Sequence, residues 1–431
     1  MRLAVVGAGW AGLAAAVRAR QLGWDVTIHE MAATPGGRAR SYAIDGRSRD
    51  NGQHILIGAY QHTLQLMRDV GVDERTVLLR APLVLQFPDG GGLRVPPGPP
   101  LASALLGIAR STGWSWRERL ALIRRAAAWR ASGFRCAPGL TVDALCVGLP
   151  DRVRADLIEP LCVAALNTRA SQASAATFLR VLKDALFGVR GGSDLLLPRV
   201  PLSELLPAPA WAWLARQGAE LRTSSRVQAL APRDDGWLVD DEPYDAVVLA
   251  CTTTEAARLV DTHAPAWAAC ARAVTHEAIA SVTLEAVGLR LPAPMVALRE
   301  DATSPAQFIF DHGALGMEPG VVVAVVSGAA AWLGVPLHDL GERVRDQIRA
   351  ALPGLDAASR LAVRHVACEK RATFACTPAL RRPPSAICPG LYAAGDYVDG
   401  PYPATLEGAV RSADVALSLC KATFRHAESQ A

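Results

Sequence analysis

Residues 2–12 read Arg-Leu-Ala-Val-Val-Gly-Ala-Gly-Trp-Ala-Gly, and this stretch decides the fold. The apolar run at 2–6 predicts a short strand, and the segment 13–21 beyond the glycines is rich in helix-forming residues. Residues 25–30 (DVTIHE) alternate like a second strand and end on an acidic residue. Strand, G-x-G-x-x-G turn, helix and strand together predict the first unit of a dinucleotide-binding α/β domain.

Each glycine of this turn has a physical role. Gly7 permits the tight turn, Gly9 lets the backbone approach a pyrophosphate, and Gly12 lets the helix pack closely on the strand. The free N–H groups and the positive dipole end of the helix face the phosphates. Glu30, 18 residues after Gly12, is placed to accept hydrogen bonds from a ribose. The expected cofactor contacts in this unit are Gly7, Gly9, Trp10, Ala11, Gly12 and Glu30.

Length and composition narrow the class of protein. The chain has 431 residues, which suggests two or three domains, and its 51% hydrophobic and 20% charged residues exclude a disordered protein. A formal net charge of +4 is too balanced for a dedicated nucleic-acid binder. The nine cysteines form no C-x-x-C pair, so we expect no disulfide framework and no metal site. No secretory signal is visible at Met1–Val6, and we expect a cytoplasmic protein.

One uncharged stretch approaches the length of a membrane span. Residues 320–337 carry no charge over 18 positions. The β-branched run 321–326 favours a buried strand, and the spacing of Leu340, Val344 and Ile348 favours an amphipathic helix beyond Pro336. We therefore expect strand, loop and helix, with a membrane span as the alternative.

Two further glycine-containing motifs lie far apart in the chain. Gly36-Gly37-Arg38 lets the backbone pass close to a cofactor, and the arginine offers a planar donor fork to phosphate. Residues 390–396 (GLYAAGD) predict a strand that ends in Gly-Asp, and residues 403–410 predict the start of a helix. Together with the N-terminal unit, these motifs resemble the flavin amine oxidase and carotenoid desaturase superfamily.

The resemblance implies an FAD cofactor and its contacts. In that superfamily the aspartate matching Asp396 binds the ribityl chain, and helix amides near Thr405 and Leu406 face the pyrimidine end of the flavin. Segments 224–230 and 244–251 resemble strands of its FAD domain, with Val227 at the adenine end; a core valine is the alternative. The further cofactor contacts implied are Gly36, Gly37, Arg38, Gly52, Val227, Gly395, Asp396, Thr405 and Leu406.

The implied architecture is an α/β fold with a Rossmann-like FAD-binding domain of the amine oxidase and phytoene desaturase type. A second, discontinuous domain would bind the substrate. We expect the FAD-binding domain at 1–78, 188–262 and 365–431, and the substrate-binding domain at 79–187 and 263–364. No second strand-linked G-x-G-x-x-G is present, so we expect an external electron donor, whose identity the sequence leaves open, and no direct NAD(P)H binding.

A central stretch narrows the resemblance to one branch. Residues 50–60 read DNGQHILIGAY. They resemble the squalene-associated FAD-dependent group, the hydroxysqualene dehydroxylases of bacterial hopanoid biosynthesis. This implies an oxidoreductase that removes a hydroxyl group reductively from a lipophilic polyisoprenoid. Two alternatives stay open: a carotenoid desaturase or amine oxidase of the same superfamily, and a non-catalytic prenyl-binding protein of the GDP-dissociation-inhibitor type.

Three side chains are candidates for the chemistry. His54 lies in the central stretch, and imidazole titrates near neutral pH, which suits proton transfer; the alternative is a histidine that only hydrogen-bonds. Tyr397 and Tyr402 flank the Gly-Asp loop, near where the superfamily places aromatic rings in front of the flavin. Their faces would stabilise a developing cation, with ordinary packing as the alternative.

Residues 114–133 mix three tryptophans with five arginines. On a helical wheel Trp116, Leu120 and Ile123 share one side, with Arg117 and Arg124 opposite. Such a helix would rest on anionic headgroups at the inner face of the cytoplasmic membrane and admit a lipid-soluble substrate. A surface helix that packs on the substrate domain is the alternative.

Overall fold

The computed structural model describes residues 1–44, 46–353 and 361–428. Its strands are β1 (Arg2–Val6), β2 (Asp25–His29), β3 (Ser41–Ile44), β4 (Arg47–Asp50), β5 (Leu56–Ile57), β6 (Leu78–Ala81), β7 (Val84–Gln86), β8 (Gly92–Arg94), β9 (Leu195–Pro198), β10 (Glu220–Arg222), β11 (Leu230–Arg233), β12 (Gly236–Val239), β13 (Glu242–Tyr244), β14 (Ala246–Leu249), β15 (His276–Glu285), β16 (Met295–Ala297), β17 (Phe308–Asp311), β18 (Val321–Val326), β19 (Ala362–Phe374), β20 (Ala386–Cys388) and β21 (Leu391–Ala393). Its α-helices are α1 (Trp10–Gln21), α2 (Gln61–Asp69), α3 (Glu74–Val77), α4 (Pro100–Ala109), α5 (Trp116–Ala131), α6 (Val142–Leu145), α7 (Asp151–Val153), α8 (Glu159–Leu166), α9 (Ala175–Phe187), α10 (Leu202–Leu205), α11 (Pro207–Arg216), α12 (Thr253–Val260), α13 (Pro265–Arg272), α14 (Leu337–Ala351) and α15 (Leu406–Glu428).

A six-stranded sheet in the order β10-β2-β1-β14-β21-β20 forms the first layer. β1 pairs in parallel with β2 and β14, and β14 pairs in parallel with β21. The central strands are buried on both faces, which explains their continuous apolar sequences at 3–5 and 246–249. Helix α1 packs against α15 over this sheet. The predicted α/β class of fold is confirmed, as is the N-terminal strand–helix–strand unit.

Glycine packing holds the first turn of this unit. Gly7 has a φ of +106°, a conformation that L-residues with a side chain rarely adopt. A Cβ placed on Gly12 would lie 1.9 Å from the Gly7 carbonyl oxygen. The helix therefore approaches the turn as closely as it does only because position 12 has no side chain.

A five-stranded antiparallel sheet in the order β16-β17-β18-β15-β19 forms the second layer. One of its faces packs on Leu340, Val344 and Ile348 of α14. The other face belongs to a large apolar cluster that includes residues of α5, α6, α8 and α9. The structure confirms the predicted strand at 321–326 and the predicted helix beyond Pro336. In the described parts of the chain, none of the helices is both long and apolar enough to cross a bilayer.

One expectation about the middle of the chain needs correction. The strand predicted at 224–230 is wrong, because only its last residue joins a strand. Ser224 has a φ of +51°, and the Ser225 N–H donates to the Glu30 carbonyl, so the chain turns away from the sheet here. The strand predicted at 244–251 is confirmed over Ala246–Leu249. The domain boundary expected at 364/365 falls inside β19, which pairs with β15 as far as Phe374.

Gly12→Ala should destabilise the protein and weaken FAD binding. Although alanine favours a helix, its methyl group would collide with the Gly7 carbonyl, and overpacking of this kind costs about 1–3 kcal/mol. The free energy of unfolding from urea titration and the bound flavin per chain measure both effects. Gly139→Ala is the control, since a Cβ there meets no atom within 4 Å and φ is not positive. Equal stability and flavin content in both variants would contradict the steric argument.

Candidate active site

Two glycine segments meet at the start of α1. Gly9 and Gly36 form a parallel bridge, and the Gly36 N–H donates to the Ala8 carbonyl at 2.8 Å. A Cβ on Gly37 would lie 3.1 Å from the Gly9 Cα, so the two backbones touch without side chains between them. The N-cap of α1 makes no side-chain hydrogen bond, and its first turn holds no acidic residue. The positive end of the helix dipole is therefore left for an anion.

Glu30 closes this cradle at the end of β2. Its side chain is buried and accepts hydrogen bonds from the backbone N–H groups of Ala8 at 2.6 Å and Ala32 at 2.8 Å. The carboxylate therefore fixes the glycine turn as well as facing the cofactor side. Each carboxylate oxygen has a second lone pair, which leaves capacity for a ribose hydroxyl.

Trp10 and Val227, two predicted cofactor contacts, have buried side chains. The Trp10 indole N–H donates to the Ala39 carbonyl at 3.0 Å. The Val227 carbonyl accepts from Arg258 at 2.7 Å, and its side chain lies in the apolar cluster. Both side chains pack inside the protein. Their predicted contacts with the cofactor stay predictions.

Arg38 joins three distant segments of the site. Its guanidinium forms an ion pair with Asp396 and donates to the Ala372 carbonyl of β19 at 2.8 Å. The Asp396 carboxylate is buried, and its negative charge raises the pKa of Arg38 above the ordinary value. We expected the Arg38 guanidinium to donate hydrogen bonds to phosphate. In the structure, N–H groups of this guanidinium donate to the Asp396 carboxylate and to the Ala372 carbonyl of the second sheet.

Tyr397 provides the test of whether a cofactor fits here. Its side chain is 4% exposed, and its hydroxyl has no hydrogen-bond partner among the described residues. Burial raises the pKa of this phenol, which lies within the influence of Cys251, Asp396 and Arg38. Buried polar groups are normally paired, so this hydroxyl fits a polar group supplied from outside the chain. A dinucleotide bound between the glycine turn and the Gly395-Asp396 loop would supply such groups.

The helix predicted after Pro403 is confirmed as α15. Thr405 Oγ1 accepts from the Gly408 N–H at 3.0 Å, which makes Thr405 the N-cap. Ser412 accepts at 2.7 Å from the Gly395 N–H and so ties the Gly-Asp loop to the helix. The N-terminus of α15 and the carboxyl end of β21 therefore face the same region. Contacts of Thr405 and Leu406 with the flavin stay predictions.

The stretch 50–54 crosses between the two sheets. Asp50 accepts from Ser41 Oγ at 2.6 Å and from the Leu202 N–H at 3.0 Å, and burial raises its pKa. Asn51 Nδ2 donates to the Arg38 carbonyl at 3.0 Å. Gly52 has a φ of +91°, which suits the absence of a side chain where the chain bends.

His54 is held in a defined tautomer. Its Nδ1 lies 3.0 Å from the Gly52 carbonyl, which only accepts, so Nδ1 carries the proton. Burial lowers the pKa of His54, and the neutral form is favoured. In that form Nε2 accepts a hydrogen bond or proton. The role of proton donor, which we predicted for His54, requires its less favoured protonated form and stays a prediction.

Tyr402 is occupied by contacts within the protein. Its hydroxyl donates to Asp184 at 2.6 Å, and the guanidinium groups of Arg180 and Arg411 lie 5.3 and 4.7 Å from its ring centre. A carbocation would compete with these two cations for the ring. The geometry therefore supports the packing alternative for Tyr402 more than a catalytic role.

The comparisons with known proteins identify the class. Residues 10–416 match the family of flavin containing amine oxidoreductases, and the chain belongs to this family. A flavin family, together with a dinucleotide-binding glycine turn, identifies the cofactor as FAD and the protein as an FAD-dependent oxidoreductase.

Particular relatives are more informative than the family. The chain is 30% identical to a hydroxysqualene dehydroxylase of Rhodopseudomonas palustris, with 98% of each chain covered. It is 28% identical to one of Sinorhizobium fredii, covering 96% of this chain and 98% of the relative. A zeta-carotene desaturase of Synechocystis is 37% identical over 75 residues, or 17% of this chain and 15% of that one.

Solved structures support the fold. An oxidoreductase from Methanosarcina mazei superimposes with a TM-score of 0.75 at 15% identity, covering 97% of this chain and 100% of the other. Cyclohexylamine oxidase from Brevibacterium oxydans superimposes with a TM-score of 0.66 at 16% identity, and the match covers 98% of this chain and 99% of the other.

His312 contacts the stretch 50–54, and the sequence predicted no role for this residue. Its Nε2 donates to Gln53 Oε1, 3.1 Å away. Burial, assisted by Arg49 and opposed by Glu318 and Asp311, lowers its pKa to about 4. The folded protein therefore keeps His312 neutral and bonded to Gln53 at neutral pH.

His312 should make the folded protein sensitive to acid. Its folded pKa lies below the ordinary 6.5, so its contribution is complete above pH 6.5 and is lost as pH falls to about 4. The free energy of unfolding that His312 contributes above pH 6.5, and that is lost below its folded pKa, is about 3 kcal/mol. Urea unfolding at several pH values should show that the free energy of unfolding falls less steeply with decreasing pH in His312→Gln than in the wild type. His338→Gln, at an exposed position of α14, is the control. The same dependence of unfolding free energy on pH in the wild type and both variants would contradict the prediction.

Proposed function

We propose that this protein removes the hydroxyl group of hydroxysqualene reductively and so forms squalene. The observation that carries the proposal is the match to hydroxysqualene dehydroxylases along 96–98% of this chain and 98% of each relative. The matches to carotenoid desaturases cover less than a third of the chain. The central stretch 50–60 resembles the same branch.

The second sheet supports a lipophilic substrate. Met295, Phe308, Phe310 and Val325 project from its inner face into the apolar cluster shared with the helices. An apolar surface of this kind suits a hydrocarbon chain, because burying the chain removes its surface from water. The stretch 50–54 meets the same sheet at Gly52, which lies beside Ser281 of β15.

The residues of the cradle would hold FAD. Gly9 and Gly36 allow the close approach of the pyrophosphate to the start of α1, and Glu30 would bind the ribose. Tyr397 and Asp396 would face the middle of the cofactor. Arg38, already bound to Asp396 and β19, would hold the cradle against the substrate domain.

The reaction needs a proton and a hydride. The hydroxyl is allylic, so its departure as water, once a proton has been added, leaves a delocalised cation at carbon. Bound in reduced form, FAD would supply the hydride at the cost of its own oxidation, and an external donor would have to reduce it again. The protein orients the chain, excludes water and directs a proton to the oxygen, and His54 remains our candidate for that transfer.

Anaerobically reduced holoenzyme should convert hydroxysqualene to squalene while its flavin becomes oxidised in equal amount. Gas chromatography measures the product, and flavin absorbance measures the oxidation. Gly12→Ala, stripped of flavin, is the control and should form no squalene. Flavin that stays reduced with this alcohol would contradict the proposal. Oxidised enzyme that instead desaturates a carotenoid precursor would favour the desaturase alternative.

We further propose that the protein contacts an anionic membrane surface, with α4 at the contact. Of the tryptophans in the segment 114–133, only Trp116 is exposed, and Leu122 and Trp129 are the buried residues of α5. The membrane contact predicted through this segment stays a prediction. The exposed face of α4 is apolar and consists of Leu101, Ala102, Leu105, Leu106 and Ala109.

Basic residues lie beside this face. Arg110 at the end of α4 and Arg117 at the start of α5 are both exposed. An apolar face next to arginines matches an anionic bilayer surface, where the apolar side chains enter the interface and the guanidinium groups meet phosphate. A lipophilic substrate would enter from the same place.

Leu105→Gln with Leu106→Gln should reduce binding to vesicles that contain anionic lipid, because two apolar side chains leave the interface. Sedimentation with anionic and with neutral vesicles measures the effect, and the anionic vesicles should bind more wild-type protein. Leu333→Gln, which changes an equally exposed leucine elsewhere, is the control. Unchanged sedimentation of the double variant would remove α4 as the contact.

A further inference from the structure

One strand of the second sheet brings hydroxyl groups to the central stretch. Ala280, Val282 and Leu284 of β15 belong to the cluster that includes α14. Since side chains alternate along a strand, Ser281 and Thr283 point to the opposite face, where the stretch 50–54 crosses. This face of β15 therefore carries two hydroxyl groups. Beside them β19 contributes the polar His365 and Glu369, and Glu369 accepts a hydrogen bond from Asn51 Nδ2 at 3.3 Å.

Ser281 lies directly against Gly52. A Cβ placed on Gly52 would be 3.4 Å from Ser281 Oγ, which is an ordinary contact distance, so the two residues are direct neighbours. The partners of Ser281 on the neighbouring strands are Val325 and Ala367, both apolar. The hydroxyl thus reaches the centre of the site from the second sheet.

The Ser281 hydroxyl is buried and unpaired. The residue is 6% exposed, and its Oγ has no hydrogen-bond partner among the described residues. Leaving a buried hydroxyl unpaired is unfavourable, so a group from outside the chain is the expected partner.

The polar groups nearby already have partners within the protein. Asn51 Nδ2 donates to the Arg38 carbonyl, Gln53 Oε1 accepts from His312, and His54 Nδ1 donates to Gly52. Ser281 Oγ can both donate and accept, as an alcohol can. Its chemistry matches a hydroxyl group on an otherwise apolar ligand.

We propose that Ser281 binds the hydroxyl group of the substrate by a hydrogen bond and holds that carbon in the central stretch. The proposal rests on the proposed function and adds a determinant of specificity to it. The hydrocarbon product has no hydroxyl, so its binding leaves Ser281 unpaired again. The same residue would therefore favour the alcohol over the product and promote product release.

Binding to the oxidised holoenzyme tests this directly, because oxidised flavin has no hydride to give and no turnover occurs. The perturbation of flavin absorbance gives the Kd for hydroxysqualene and for squalene. Wild type should bind the alcohol more tightly than the hydrocarbon. Ser281→Ala should reduce this preference by about 3- to 10-fold, the usual value of one hydrogen bond, through the alcohol alone. Ser281→Thr, which keeps a hydroxyl, should retain the preference.

Thr283→Val is the matched control, two residues along the same strand and face, and should keep the wild-type preference. An unchanged preference in Ser281→Ala would overturn the proposal. So would a changed flavin spectrum or FAD affinity without ligand, because Ser281 would then bind the cofactor. Failure of the proposed function is a separate result: wild type would bind the alcohol but form no squalene when reduced.

Discussion

The ion pair between Arg38 and Asp396 is the interaction on which the site depends. It joins a loop after β2 to the end of β21, and through the Ala372 carbonyl it also reaches β19 of the second sheet. Each of these segments comes from a different part of the chain. Because the Asp396 carboxylate is buried, removing Arg38 would take away its ion-pair partner and leave its charge opposed by the more distant Arg382. The cofactor cradle and the substrate face are thereby held in one arrangement.

Local patterns predicted the first sheet well because its strands are short, apolar and bounded by glycine. Residues 2–30 and 390–410 each carry their own turn and helix signals. The segment 224–230 shows where such patterns fail. Val227 is buried like a strand residue, but Ser224 takes a left-handed conformation and the chain leaves the sheet. An apolar residue reports burial, and burial alone does not distinguish a strand from a packed loop.

The site was predictable only where its residues lie in glycine motifs. Ser281 and His312 carry no local signal, since each is defined by contact with the stretch 50–54 from far along the chain. The helical wheel of residues 114–133 is limited for a related reason. A wheel describes one helix, whereas the neighbouring helices decide which side is covered: Trp129 is buried, and an exposed apolar face lies on α4.

The strand order of the first sheet also constrains biosynthesis. β1 is made before both of its neighbours in the sheet, β2 and β14, and β14 pairs with β21, which is made later still. At about 5–20 residues per second, a ribosome needs roughly 20–80 s between β1 and β21. During that interval apolar strand edges lack their partners, which invites aggregation or chaperone binding. Since Asp396 and α15 follow β20 and β21 in the chain, the cradle that would hold FAD is complete only after both have been synthesised.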